Sequence, residues 1–202
     1  MKRLIKMLFA GFVLTLISSC DKINDLTLNP DDTVAKEGNY WIAQGSEIPN
    51  TTVTVSENKK GVATMSFNYN GQDYEIKAKV TKTKIQDFVY SNGDEDKPFT
   101  LVDFDANVGD KWEYNVGTET VVREVVYKST DDDYLVWGLG LMIKVSQVEE
   151  TIPDGITVMG YPAGAKKILW TFNHKFGWIG AEVTKKDDTV LYFGLNDTNS
   201  GQ

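Results

Sequence analysis

The feature that most constrains the fold is a pair of alternating segments joined by Asn70-Gly71. In residues 63–69 and 74–80 nearly every second residue is apolar, which is the period of a half-buried strand. Asn-Gly readily adopts the positive φ angles of a type I′ turn. A two-residue loop there gives three apolar pairs: Phe67 with Tyr74, Met65 with Ile76, and Ala63 with Ala78. A one-residue slip would oppose apolar to polar side chains, so the pattern predicts a hairpin with a defined register.

Similar segments recur along the chain and predict an all-β protein. They cover residues 52–56, 85–90, 111–116, 120–128, 134–148, 167–173, 178–184 and 189–195. Val, Ile and Thr together number 51, whereas Ala and Leu number only 22, so a helical bundle is disfavoured. We therefore expect an antiparallel β-sandwich or a partly closed β-barrel.

The segment 134–148 is expected to form one long central strand. Six large apolar residues alternate on one face: Leu135, Trp137, Leu139, Leu141, Ile143 and Val145. Gly138 and Gly140 fall on the opposite face, where a bend or a close approach by another backbone is expected.

The N-terminus has the organisation of an export signal. Three basic residues among the first six precede an apolar run at 7–17. Eleven residues at about 1.5 Å each span only half of a bilayer core, so the run predicts a signal peptide rather than a transmembrane helix. The following segment, Leu-Ile-Ser-Ser-Cys at 16–20, resembles the bacterial lipobox. That resemblance implies a diacylglyceryl group on Cys20 and cleavage just before it.

A lipid anchor at Cys20 would make the membrane the first partner of the mature protein. It would also use the only cysteine of the chain, so no disulfide is expected. Removal of residues 1–19 takes away three of 21 basic residues and none of the 29 acidic ones, which leaves a net charge of −11. Such a surface repels phosphate backbones, so we expect no nucleic-acid partner. The expected location is the cell envelope, at the outer membrane.

These features predict a simple domain organisation. The expected parts are a signal peptide at 1–19, a flexible tether at 20–37, a single all-β domain at 38–196 and a tail at 197–202. The acidic loop at 91–98 marks a candidate subdomain boundary. One domain is favoured because each half alone offers few strands with which to close a core.

The sequence contains no recognisable catalytic motif. His174 is the only histidine, which excludes a zinc site built from several His and Cys ligands. No serine lies in a G-x-S-x-G motif and no P-loop is present. Paired carboxylates could serve glycoside hydrolysis, but nothing singles out a pair. We therefore expect no catalytic residues, no metal and no cofactor, and a protein that is not an enzyme.

One acidic segment has part of the spacing of a calcium loop. Asp103, Asp105 and Asn107 are two residues apart, but the glycine comes one position late, at Gly109. Position twelve is Tyr114 rather than glutamate. We interpret the segment as a polar approach to the next strand.

Alternating aromatic residues mark the most conspicuous cluster. The run comprises Trp170, Phe172, His174, Phe176 and Trp178. These rings can form the wall of a ligand pocket, or they can be the inner face of the sheet. Lys175 and Gly177 can also break the strand. The candidate ligand-lining residues are Trp137, Trp170, Phe172 and Trp178.

Two short motifs carry a family resemblance. The segment Val-Gly-Asp-Lys-Trp-Glu-Tyr at 108–114 is similar to a strand opening in uncharacterised envelope lipoproteins, and Cys20-Asp21-Lys22 resembles the mature start of many Bacteroidota lipoproteins. The resemblance implies an exported β-domain of unknown function. We expect a non-enzymatic binding or scaffold module whose protein or small-molecule partner is unknown. The alternatives are a carrier with a cavity for a lipid-like ligand, and a glycan-binding or glycan-active protein.

Overall fold

The computed structural model describes residues 34–46, 50–69, 71–91, 94–156 and 164–201. The expected signal peptide, Cys20 and residues 21–33 of the expected tether lie outside these ranges. Within them, no helix has the length and apolar character needed to cross a membrane.

The described residues form fourteen strands and a short 3-10 helix at Val89–Ser91. The strands are β1 Tyr40–Gly45, β2 Thr51–Lys59, β3 Val62–Tyr69, β4 Gln72–Val80, β5 Lys84–Asp87, β6 Phe99–Asp103, β7 Lys111–Val116, β8 Glu119–Lys128, β9 Tyr134–Val136, β10 Leu141–Ile143, β11 Ser146–Thr151, β12 Ala165–Asn173, β13 Gly177–Lys185 and β14 Val190–Thr198.

Twelve of these strands form one antiparallel sheet that is nearly closed into a barrel. The order across the sheet is β6-β5-β4-β3-β2-β1-β14-β13-β12-β11-β8-β7, so β1 and β14 join the two halves. Strands β9 and β10, which lie between β8 and β11 in the sequence, form a separate two-stranded hairpin outside this sheet. The prediction of an antiparallel all-β fold is confirmed, in the form of a partly closed barrel.

The register predicted around Asn70-Gly71 is confirmed. Strands β3 and β4 pair Phe67 with Tyr74, Met65 with Ile76 and Ala63 with Ala78. The rings of Phe67 and Tyr74 stack with centroids 5.4 Å apart and planes 17° apart. Gly71 has a φ of 80°, while Asn70 lies outside the described residues. The apolar pairs therefore determine the register, as the alternation predicts.

The prediction of one long strand over 134–148 is wrong. The chain turns back after β9, and the N–H of Gly140 donates to the carbonyl of Val136 at 2.9 Å. Gly140 has a φ of 63°, which a residue with a side chain rarely adopts. Trp137 and Leu141 are consequently 86% and 45% exposed instead of sharing a buried face.

Buried residues lie on both sides of the expected domain range, 38–196. Val34 and Ala35 are buried, so the packed domain begins before residue 38. Strand β14 continues to Thr198, and Ser200 is fully buried, so most of the expected tail packs against the domain. Strands β5 and β6 pair with each other on either side of 91–98, and the same sheet continues across the candidate boundary.

The aromatic run at 170–178 contains a tight turn between β12 and β13. The Asn173 side-chain oxygen accepts the N–H groups of Lys175 at 2.8 Å and Phe176 at 2.9 Å. Gly177 has a φ of 74°, and a Cβ there would lie 2.9 Å from Val34 Cγ1. The five rings therefore do not form one continuous strand face.

Candidate functional site

A surface groove lies between the β9–β10 hairpin and the neighbouring sheet. It is lined by residues 134–138, Gln147, Leu169, Thr171, 179–182 and 192–195, and has a volume of about 220 Å³. These residues come from the hairpin and from β11, β12, β13 and β14. We call this feature the Trp137 groove.

Part of the groove floor is a row of residues that are partners across four strands. Gln147 pairs with Thr171, Thr171 with Gly180, and Gly180 with Gly194. Partners in an antiparallel sheet point to the same face, so this row forms a continuous strip. The half of the strip that consists of Gly180 and Gly194 has no side chains. A Cβ built on Gly194 would meet no atom within 4 Å, so the space above it is open.

The turn of the β9–β10 hairpin lies directly against β14. A Cβ on Gly138 would lie 2.4 Å from both the Leu195 carbonyl oxygen and Asn196 Cα, so only glycine fits this approach. The preceding residue, Trp137, is 86% exposed and lines the groove, and Tyr192 of β14 is 59% exposed and also lines it. Two large aromatic side chains from different elements are thus available to a ligand.

Polar groups accompany the aromatic rings in the groove. The Gln147 amide donates to the Thr171 hydroxyl at 3.2 Å, and a primary amide has a second N–H and a carbonyl for further bonds. Glu182 contributes the one carboxylate among the described lining residues, which include no Lys, Arg or His. The groove can therefore contact an apolar face and hydrogen-bond polar groups, and it disfavours anions.

The four predicted ligand-lining residues separate into two groups. Trp137 lines the groove. Phe172 is 2% exposed in the main core, and the partly buried Trp170 and Trp178 pack against the same core. None of these three lines the groove. The structure adds Tyr192, Gln147, Gly180 and Gly194, which lie too far apart in the sequence for a local pattern to connect them.

Trp170 and Trp178 differ in the hydrogen bonding of their indole N–H groups. Trp170 Nε1 donates to Glu150 Oε2 at 2.9 Å, whereas the buried Trp178 Nε1 has no partner among the described residues. We expect Trp170→Phe to lower the free energy of unfolding by about 1–3 kcal/mol. Trp178→Phe, which removes an unpaired donor, should lower it by less. Urea unfolding monitored by circular dichroism measures both, and equal losses would contradict this prediction.

Several ionisable side chains lie together in the interior, around Arg123 of β8. Its guanidinium donates to Glu150 at 3.1 Å, to Asp87 at 2.8 Å and to the Thr100 carbonyl at 2.9 Å. Tyr90 donates a further hydrogen bond to Glu150. Arg123 and Glu150 are fully buried. We call Arg123, Asp87, Glu150 and Tyr90 the buried ionic cluster.

Burial shifts the pKa values of two members of this cluster, Asp87 and Tyr90. Desolvation raises the pKa of Asp87, and the positive charge of Arg123 opposes that effect. Desolvation also raises the pKa of Tyr90, and the nearby Glu150 charge adds to the shift. Perturbed pKa values often mark active sites, but structural ion-pair networks shift them too. The groups of the cluster bond to one another, and none of them lines the Trp137 groove, so we assign the cluster a structural role.

The cluster bridges the two edges of the sheet, β6 and β7. Arg123 lies beside β7 and bonds to Thr100 of β6. Tyr114 of β7 accepts the Thr100 N–H at 2.6 Å, and its ring packs edge-to-face on Phe99 at 4.5 Å. Side chains therefore close the gap where backbone pairing ends.

Two other depressions differ from the groove in size, since the first is larger, at about 660 Å³, and the second is much smaller. A wide one beside Thr151–Asp154 contains Lys166, Lys167 and Lys186, which form ion pairs with Asp188, Glu149 and Asp154 respectively. A second, beside His174 and Phe172, holds only about 10 Å³. That is about the space of one water molecule.

The described residues contain no group of three or more His, Cys, Asp or Glu placed to hold a metal ion. In the segment with partial calcium-loop spacing, Asp103 forms an ion pair with Lys84 at 2.9 Å and accepts the Asp105 N–H at 3.1 Å. The carboxylate of Asp103 therefore bonds to Lys84 and to the backbone of a local turn.

No family model matches the chain, and no curated protein matches it. Two solved structures are similar at low identity. One is a protein from Parabacteroides distasonis described as a lipoprotein, with 12% identity, a TM-score of 0.47, and coverage of 82% of this chain and 96% of that one. The other is the hypothetical lipoprotein YmcC from Escherichia coli, with 10% identity, a TM-score of 0.38, and coverage of 87% and 91%. No residue role is transferred from either structure.

Proposed function

We propose that this chain is a lipid-anchored protein of the Gram-negative cell envelope, held at the outer membrane through Cys20, and that its β-domain is a non-enzymatic binding module. The lipobox-like segment at 16–20 supports the anchor. The observation that carries the binding role is the Trp137 groove, where two exposed aromatic side chains lie beside hydrogen-bonding groups. Large apolar side chains exposed together often mark interaction sites.

The composition of the groove favours binding over catalysis. Glycoside hydrolysis by the common mechanism requires two carboxyl groups flanking the scissile bond. The described groove lining supplies Glu182 alone. Asp87 and Glu150 do lie together, but both are buried around Arg123. A ligand in the groove would thus meet one carboxylate and no basic side chain.

The packing of the barrel favours a surface site over an interior carrier site. Valine and aromatic side chains from both halves of the sheet fill the main core, including Val55, Val125, Val148 and Phe172. The void beside Phe172 has a volume of only about 10 Å³. A ligand pocket commonly needs about 300–1,000 Å³. The groove is larger than this void, at about 220 Å³, and it is open to solvent, so a ligand need not fit inside it completely.

The anchor is tested by Cys20→Ala, which removes the thiol that would carry the diacylglyceryl group. We expect this variant to leave the washed membrane fraction and to incorporate no radiolabelled palmitate. Loss of several acyl chains, at about 0.8 kcal/mol for each buried methylene, removes the membrane affinity. Immunoblotting of fractionated cells measures the change.

Trp137→Ala provides the matched control, because it alters the groove and leaves Cys20 intact. It should remain in the membrane fraction and incorporate palmitate as the parent does. Retention of Cys20→Ala in the washed membranes would overturn the anchor.

A further inference from the structure

We propose that the Trp137 groove binds an uncharged saccharide, with the sugar ring against Trp137 and its hydroxyl groups bonded to Gln147 and Glu182. This inference rests on the proposed binding function and specifies the class of ligand.

The aromatic residues match one face of a sugar ring. Pyranose rings present C–H bonds on a flat face and hydroxyl groups around the rim, so they suit a site with an apolar plane beside polar groups. Trp137, at 86% exposure, offers most of its indole surface, and Tyr192 offers a ring with a polar hydroxyl. Aromatic side chains bury large areas at little conformational cost, because they have few rotatable bonds.

The polar side chains of the groove can bond to the hydroxyl groups of such a ring. Thr171 is only 4% exposed and already bonds to Gln147, which fixes the orientation of that amide. The second amide N–H and the carbonyl of Gln147 remain suited to bond a ligand hydroxyl. The carboxylate of Glu182 can accept a hydrogen bond from another hydroxyl, and such charge-assisted bonds are strong.

The charge of the groove selects against acidic sugars. Glu182 is its one charged residue among those described, and it is negative. The expected mature chain carries a net charge of −11, which adds a repulsive field toward any polyanion. Sulfated or uronic-acid chains and phosphate-bearing ligands would lack a cationic partner here.

The size and position of the groove suit one or two rings of a longer chain. Its volume of about 220 Å³ is below the range of pockets for drug-sized ligands, about 300–1,000 Å³. The hairpin turn contacts the Leu195–Asn196 backbone at Gly138. The preceding residue, the exposed Trp137, is therefore held at the rim of the groove.

The test titrates the purified mature protein, in a detergent without a sugar headgroup, with cellotetraose, maltotetraose and the fully N-acetylated form of chitotetraose. Intrinsic tryptophan fluorescence and isothermal titration calorimetry measure binding. We expect saturable binding of at least one of these neutral tetrasaccharides at millimolar concentration. Tetragalacturonate, the acidic counterpart, should bind at least about tenfold more weakly.

Three variants locate the site. Trp137→Ala should weaken binding about tenfold or more, because it removes the ring. Gly194→Leu should abolish binding, since its side chain enters space that is open in the parent. The φ angle of Gly194 is not positive, so a residue with a side chain can adopt this backbone conformation without strain. Met142→Ala, at an exposed residue of the same hairpin outside the groove lining, should leave binding unchanged.

Absence of saturable binding by all three neutral sugars overturns the saccharide inference, as does unchanged binding by Gly194→Leu. Equal affinity for tetragalacturonate overturns the preference for uncharged ligands. If native mass spectrometry instead shows a co-purified molecule of another class that Gly194→Leu loses, the saccharide inference fails and the binding module remains. If Met142→Ala and Trp137→Ala equally weaken attachment of the domain to phosphatidylcholine vesicles, the hairpin contacts membrane and the saccharide assignment is again overturned.

Discussion

Replacing Arg123 with methionine is expected to lower the free energy of unfolding by about 3–5 kcal/mol. The substitution leaves Asp87 and Glu150 buried without the guanidinium that bonds to both of them. It also removes the donor to the Thr100 carbonyl at 2.9 Å, which helps to close the gap between the sheet edges. A domain of this kind is stable by about 5–15 kcal/mol in total, so the loss is severe. Guanidinium chloride unfolding, followed by circular dichroism, measures it.

Lys111→Ala is the matched control for this experiment. It breaks the ion pair between Lys111 and Glu124, at 2.8 Å, on the adjacent exposed surface of β7 and β8. Exposed pairs contribute at most about 1 kcal/mol, so this variant should unfold almost as the parent does.

If Arg123→Met is too unstable to purify, adding Asp87→Asn and Glu150→Gln removes the unpaired charges and should restore part of the stability. A loss below that of Lys111→Ala would contradict the structural role of the cluster.

Gly138→Ala is expected to lower the free energy of unfolding by about 1–3 kcal/mol and to displace the β9–β10 hairpin. The added Cβ would lie 2.4 Å from two backbone atoms of β14, and backbone in the middle of a sheet cannot move aside freely. The displacement should also move Trp137 from the groove and change its quenching by acrylamide. Denaturant unfolding and fluorescence quenching measure the two effects.

The control for this substitution is Gly194→Ala on the neighbouring strand. Its Cβ would meet nothing within 4 Å, so no steric cost is expected. Because glycine is unfavourable within a strand, the variant should be as stable as the parent or more stable by up to about 1 kcal/mol. Similar losses for Gly138→Ala and Gly194→Ala would show that the close approach of the hairpin is not what requires glycine.

The most local part of the fold was the most predictable. The β3–β4 hairpin depends on a two-residue loop and on apolar pairs, of which the most distant, Ala63 and Ala78, are 15 residues apart. Its turn chemistry and its alternation indicate the same register. Strands β1 and β6 carry no comparable signal, because their partners across the sheet determine which of their residues are buried.

The segment 134–148 shows why alternation alone was insufficient. An apolar residue at every second position fits one long strand and equally fits two short strands with a turn. Gly138 and Gly140 were the signal for the second interpretation, since one lies against a foreign backbone and the other has a positive φ. The requirement for glycine at 138 comes from β14, nearly sixty residues later in the chain.

The groove and the buried ionic cluster could not be assembled from sequence for the same reason. Trp137 stood out as a large aromatic residue, but Tyr192 and the two floor glycines are brought to it by pairing across distant strands. In the sequence, Arg123, Asp87 and Glu150 are charged residues that no motif connects. Asp87 and Glu150 lie 36 and 27 residues from Arg123 in the sequence, and the nearly closed sheet brings the three together.

The pairing of β1 with β14 has a consequence for the order of folding. The Thr198 hydroxyl donates to the Tyr40 carbonyl across 158 residues of sequence. Residue 40 leaves the ribosome, or the export channel, well before residue 198, so β1 has one unpaired edge until β14 is available. Contacts of such long range slow folding, and unpaired edges invite aggregation in the interval. A chaperone that shields this edge during biogenesis would therefore act on β1.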